Sequence, residues 1–398
     1  MIVDAQPRPF PSRYVNVEAA RQRFGDRVDR LGRHLWRSDA PADRVIDAMD
    51  SLGKAGKGEG WRMFERGLRG EPIPEAPLAM RELIDEAAYV PAWVDWSTTD
   101  RGGALLMRAG ALGGAVLGAR SLVLGYASPG GNKPLVFSGR LKEQAARRLN
   151  ETARFVQAVS RPAGMRPFAE GWQITLKVRL IHAQVRKMIL ASGRWNADAW
   201  GLPANQHDLA GTTLLFSASI IDGLRKLGLR ISPDEAESYI HLWRWVGRTI
   251  GVDADVLPAS EPEAMRLAEL IEMTMGEPDQ DSRDLTRALF DSAFEGCDTK
   301  EKIREAQRNV MFGRAVCREL IGDELADKLA VPRQPIRHVM PMMKRFIRTV
   351  ERVTRAVPFG ERSAVAMGTH YWDRVVEIGL QGASYEFPLP KSLSNLAA

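Results

Sequence analysis

The sequence predicts an all-α protein, a single large helical domain, and three observations predict it. Apolar residues recur at helical spacing along most of the 398 residues. Alternation of β-branched residues, the mark of strands, is nearly absent outside the C-terminal tail. Hydrophobic residues make up 44% and charged residues 27% of the chain, a balance that can bury a sizeable core.

The spacing predicts helices at about 17–35, 42–53, 59–68, 78–87, 98–125, 139–160, 171–192, 207–228, 233–250, 261–275, 281–294, 299–320 and 338–356. The stretch Gly102–Ala127 is the most apolar. Arg108 and Arg120 leave an uncharged run of 11 residues inside it, short of the ~20 needed to span a bilayer. It therefore reads as a buried helix. Its glycines (Gly110, Gly113, Gly114, Gly118) admit a neighbouring helix or a flat ligand, tight helix packing being the plainer account. Asn205 or Asp208 can cap the helix after 205, with His207 beside it near a possible cavity. Ser232-Pro233-Asp234-Glu235 carries a capping box with proline in the favoured first position. Asp281 or Ser282 can start the helix that follows them, while Gly193 and Gly228 mark helix ends. Loops fall at Glu71–Pro77, Ser128–Pro134, Arg161–Pro167 and Asn196–Asn205. After Val331 the prolines 332, 335 and 341 change the character of the chain, and Tyr385–Pro390 reads as an extended tail laid on the body. The expected organisation is an N-terminal helical extension (1–70), a core (71–330), and a C-terminal helix with its tail (331–398).

Charge and motifs narrow the function. The net charge is +6 and acidic residues are interspersed almost everywhere, so no basic arm for nucleic acid stands out. The first residues lack the charged and apolar regions of a secretory signal, and Cys297 and Cys317 cannot build a disulfide framework. A reducing, cytoplasmic location is the expectation. No HExxH, GxSxG, P-loop or strand-borne GxGxxG occurs, which disfavours hydrolase, kinase and dehydrogenase readings. The tryptophans at 93, 96, 243 and 245 read as core anchors.

Two segments can carry chemistry. Advancing about 100° per residue through Leu141–Val156 gathers Leu141, Ala145, Leu149, Phe155 and Val156 into one apolar sector. Arg148 and Thr152 fall in the middle of that sector and Glu151 on its margin. Two inward polar groups need partners: either a carboxylate in a structural ion pair, or a ligand in a cavity. In Ile174–Leu190, His182 sits at a seam. On one flank lie Ile174, Val178, Val185 and Ile189; on the other lie Thr175, Arg179 and Arg186. This suits a satisfied core histidine. That is the plainer account; the seam also suits a haem ligand, with arginines able to pair with propionate carboxylates.

At these residues the sequence resembles the rubber oxygenase (latex clearing protein) catalytic-domain superfamily, including the MpaB-type oxygenases. The matching stretches run in order from Val90-Pro91-Ala92-Trp93-Val94-Asp95-Trp96 through Ser138-Gly139-Arg140-Leu141 to Arg148-Leu149-Asn150-Glu151-Thr152. They continue with Val178–Arg186, Gly201-Leu202-Pro203-Ala204-Asn205-Gln206 and His241–Gly247. The resemblance implies a partly globin-like helical fold with haem b between helices, and His182 as the proximal iron ligand. It places Arg148 and Thr152 in the distal pocket, and implies O2-dependent cleavage of C=C bonds in an apolar, isoprenoid or unsaturated substrate. Glu151 stands where some members carry a lysine able to occupy the sixth iron position. Its carboxylate can instead accept a proton near bound oxygen, or face solvent. A haem peroxidase or peroxygenase, or a non-catalytic helical protein for haem or apolar ligands, is the alternative expectation.

Overall fold

Helical periodicity is realised throughout the computed structural model, which describes residues 8–138 and 145–380. The first predicted helix is two, α1 (Val17–Phe24) and α2 (Arg27–Arg33), because Gly25 takes a φ of 60° and ends the first. Asp39 caps α3 (Ala40–Ser51) by accepting from the Ala42 N–H. Then follow α4 (Gly53–Leu68) and α5 (Leu78–Ala88).

The apolar stretch predicted as one helix is broken. α6 (Trp96–Ala109) ends at Gly110, and the chain turns by 87° into α7 (Ala111–Val116), a π turn and α8 (Leu122–Ala127). No single helix among the described residues is long and apolar enough to cross a membrane. The predicted loop at 128–134 gives way early to α9 (Lys133–Ser138). The pair carrying the candidate residues is α10 (Ala145–Ser160) and α11 (Glu170–Ala191). Beyond them run α12 (Ala197–Trp200), α13 (Gln206–Phe216) and α14 (Ala218–Leu227), the last two predicted as one helix but parted at Ser217. α15 (Pro233–Thr249) opens with the predicted capping box, both reciprocal bonds formed. The cap of α17 (Gln280–Asp291) is Asp279, two residues before the predicted start. α16 (Glu261–Thr274), α18 (Lys300–Ile321), α19 (Asp323–Lys328), α20 (Met340–Ala356) and α21 (Gly360–Leu380) complete the described helices. Among the described residues, the Tyr14–Met275 bridge is the single β pairing.

The core forms around α6, which lies between α15 and α21 and also touches α10. A side chain at Gly103 would place its Cβ 2.1 Å from the Ser160 carbonyl oxygen, so only glycine lets α6 and the end of α10 meet this closely. Leu105 and Leu106 are buried beside it, each contributing roughly 1.5–3 kcal/mol. Arg108, the charge inside this apolar helix, is buried in an ion-pair network. It holds Glu235 at 2.7 Å and also binds Glu351, and Arg355 joins both carboxylates.

The helices that flank the central segment bury apolar side chains of their own. α3 and α4 put Ile46, Met49, Phe64 and Leu68 into the main core. α1 and α2 belong to a second apolar cluster with Leu209 and Leu270. α21, unforeseen in the sequence, buries Trp372 and Val376 and packs on α6 and α10. The expected tail at Tyr385–Pro390 lies outside the described residues, as do Leu141 and its neighbours.

Candidate functional site

The helices α10 and α11 pack side by side. On α10, Phe155 and Val156 are buried, Leu149, Arg148 and Thr152 are half-buried, and Arg147 is exposed. This is the predicted sector. Its outer side departs from expectation, because α21 covers it: the Asn150 amide donates to the Gly379 carbonyl and the Gln157 amide to Asp373. Thr152 Oγ1 donates to the Arg148 carbonyl at 2.9 Å, one turn back, leaving its oxygen lone pairs for another donor. Glu151 stays on the margin, held by Arg147 at 3.2 Å.

On α11, His182 is surrounded by protein yet keeps part of its surface accessible. Its Nδ1 is sealed from solvent and has no hydrogen-bond partner. Burial, first, and the charge of Arg186, second, push its pKa down to about 4, so the imidazole is neutral at ordinary pH. Arg148 acts on His182 in the same direction and also on Tyr126 of α8, whose hydroxyl burial raises to about 12. The charge of Arg148 thus reaches both His182 and Tyr126. Tyr126 was missed in the sequence because it ends a glycine-rich apolar run in which nothing marks one residue above another.

The two arginines flanking His182 have protein partners. Arg179 forms a buried, two-pronged pair with Asp39, at 2.6 and 2.9 Å, and donates to the Thr249 carbonyl. Arg186 pairs with Asp43 at 2.7 and 2.9 Å and donates to the Ala204 carbonyl. These bonds account for both guanidinium groups without a cofactor carboxylate. They tie α11 to α3 behind the imidazole, and two-pronged pairs of this kind fix orientation as well as charge. The joint demands glycine at 251, where φ is +93° and a Cβ would lie 2.2 Å from Asp39 Oδ2.

Three further features complete the setting. Val90–Trp96 and His241–Gly247, two of the stretches that carry the family resemblance, pack on one another. The Asp95 N–H donates to His241 Nε2 at 3.0 Å, and the Trp93 ring stands edge-on to His241 and Trp245. His207 is buried with Nδ1 at 3.3 Å from Asp208, and Asp208 in turn holds Arg13. His34, Asp253 and Asp255 bring ligand-capable atoms within 4.8 Å of one another, a grouping invisible in a sequence that spreads them over more than two hundred positions. Arg37 already places its guanidinium there, 3.1 Å from Asp253 and 3.2 Å from His34 Nε2, so the cluster is an ion-pair site with its own cation.

The residues fit a metal-bearing prosthetic group at His182. Because Nδ1 is sealed, the accessible part of this neutral ring is where a group from outside the chain would bind. The aliphatic flank of α11 supplies an apolar wall, Arg148 on α10 a donor and Thr152 an acceptor, as such a group needs.

Comparisons with known proteins agree on one direction. A family model described as "ER-bound oxygenase mpaB/B'/Rubber oxygenase, catalytic domain" matches residues 106–352. The rubber oxygenase of Streptomyces sp. (strain K30) is 23% identical over 312 residues, covering 76% of this chain and 72% of that protein. The structure of a latex clearing protein in its closed state superposes with a TM-score of 0.71 at 19% identity, covering 90% of this chain and 95% of the other.

Proposed function

The chain belongs to the MpaB/rubber oxygenase catalytic-domain family, and from that membership we propose that it is a haem b-dependent oxygenase that cleaves C=C bonds of an apolar isoprenoid or unsaturated substrate with O2. The observation that carries the reading is the His182 ring: deep in the protein, neutral, and with part of its surface left accessible. Haem, when bound, supplies the iron at which O2 is activated.

The chain's own residues do the rest. His182 holds the group from the α11 side, and the pairs Arg179–Asp39 and Arg186–Asp43 fix the helix that carries it. Arg148 supplies positive charge and donors from α10, and Thr152 supplies a hydroxyl whose proton is engaged and whose lone pairs can accept. On the side of the site facing α10, Arg148 would be the fixed donor in an otherwise dry space, and Thr152 an acceptor. Glu151, at the margin beside Arg147, is placed to take a proton toward solvent. The apolar residues Leu149, Phe155 and Val178 favour an alkene over a polar ligand.

The cleavage balances as one oxygen atom to each carbon of the double bond, giving two carbonyl ends. The test is to incubate the purified, haem-loaded protein with a linear isoprenoid alkene under air, under nitrogen, and under nitrogen with peroxide. Carbonyl products that take both oxygen atoms from 18O2 and form only in air are expected. Products that form with peroxide and not with O2 would replace the proposal with a peroxygenase.

A further inference from the structure

α20 is an amphipathic helix turned inside out. Its inward face is charged: Glu351 and Arg355 belong to the Arg108 network, and Lys344 pairs with Glu319. Its outward face is apolar. Met342, Phe346, Val350 and Val353 fall within one narrow stripe at about 100° per residue, and all are exposed, Phe346 at 68% and Val353 at 56%. A contiguous exposed stripe of this kind marks an interaction surface. The turn that follows adds Phe359, also exposed.

Charge decides what covers it. Arg345 and Arg352 are exposed along one edge of the stripe, with Arg348 exposed beyond them. The single acidic residue of the helix, Glu351, is buried on the other side in its ion pairs. A second copy laid on this stripe would bring these arginines against their own counterparts with no exposed carboxylate on the helix to answer them. An apolar stripe edged by arginine matches an anionic lipid surface, where side chains enter the acyl boundary and guanidinium groups meet phosphates. We propose that α20 docks this protein on anionic lipid surfaces, lying flat with Phe346 and Val353 inserted and Arg345 and Arg352 at the headgroups. The inference is independent of the oxygenase chemistry.

The test is co-sedimentation of the full chain with vesicles of phosphatidylcholine alone and of phosphatidylcholine with phosphatidylglycerol. Binding to the anionic vesicles, reversed by added salt, is expected. Phe346→Glu with Val353→Glu should weaken it by at least about tenfold while leaving the helical circular dichroism and melting temperature intact, since both side chains are exposed. Arg345→Ala with Arg352→Ala should remove the preference for anionic vesicles. Equal partition of the wild-type protein and the double glutamate variant would overturn the proposal. So would a concentration-dependent dimer, seen by light scattering, that the glutamate variant abolishes in a chain that never binds vesicles; that outcome would assign the stripe to a second copy.

Discussion

Single residues carry the candidate site, and they were legible to different degrees. His182, Arg148 and Thr152 could be placed from periodicity, because each sits at a fixed angle on a helix whose apolar face is unambiguous. The partners of Arg179 and Arg186 could not. Asp39 and Asp43 lie about 140 residues upstream, and no local pattern announces a pair closed by tertiary packing. Thr152→Val keeps the shape and removes the hydroxyl. On the oxygenase reading, turnover should fall by about tenfold to a hundredfold with haem content unchanged, measured as kcat beside the pyridine haemochrome assay. A loss of haem in that variant would mean Thr152 seats the group instead. His207 bears on stability away from the chemistry. Burial lowers its pKa, with Asp208 opposing, so the unfolded chain takes up a proton at a higher pH than the folded one does. Its contribution is therefore complete above the ordinary histidine value near 6.5 and is lost as pH falls below it. Urea unfolding at stepped pH should show stability declining below that value, by at most about 1.4 kcal/mol per pH unit for one group. His207→Gln should flatten the decline; an unchanged slope would place the proton uptake elsewhere.

At the scale of elements, the helices were foreseen and their interruptions were not. A pattern of apolar residues gives the period of a helix but not the point where packing makes it turn, so the bend at Gly110 and the break at Ser217 passed unnoticed. α21 was missed for a related reason. Its buried residues, among them Trp372 and Val376, are interleaved with charged ones, and the polar side of α10 that it covers gave no hint of a neighbour. The close contact of α6 with the end of α10 yields a sharp expectation. Gly103→Ala inserts a methyl group against the Ser160 carbonyl at the end of α10, where backbone on both sides cannot yield cheaply. A loss of about 1–3 kcal/mol is expected from chemical denaturation. On the oxygenase reading, haem affinity should fall with it, because α10 also carries Arg148 and Thr152. A variant as stable as the wild type would show that the two helices separate freely.

The whole molecule is tied together by the network of Arg108, Glu235, Glu351 and Arg355, which joins α6, α15 and α20. Arg108→Leu should destabilise the protein by about 3 kcal/mol, because Glu351 is then left buried without its main partner. Adding Glu351→Gln should recover part of that loss; no recovery would assign the arginine's role to packing alone. The fold class needed nothing beyond periodicity and composition, and the solved latex clearing protein bears it out. α3, α4 and α21 all contribute to the main apolar core. The most direct measurement is an absorption spectrum of the purified, haem-loaded protein beside its His182→Ala variant. A Soret band in the wild type that is lost or shifted in the variant is the predicted result, whereas an identical band in both would contradict the assignment of this imidazole to the iron.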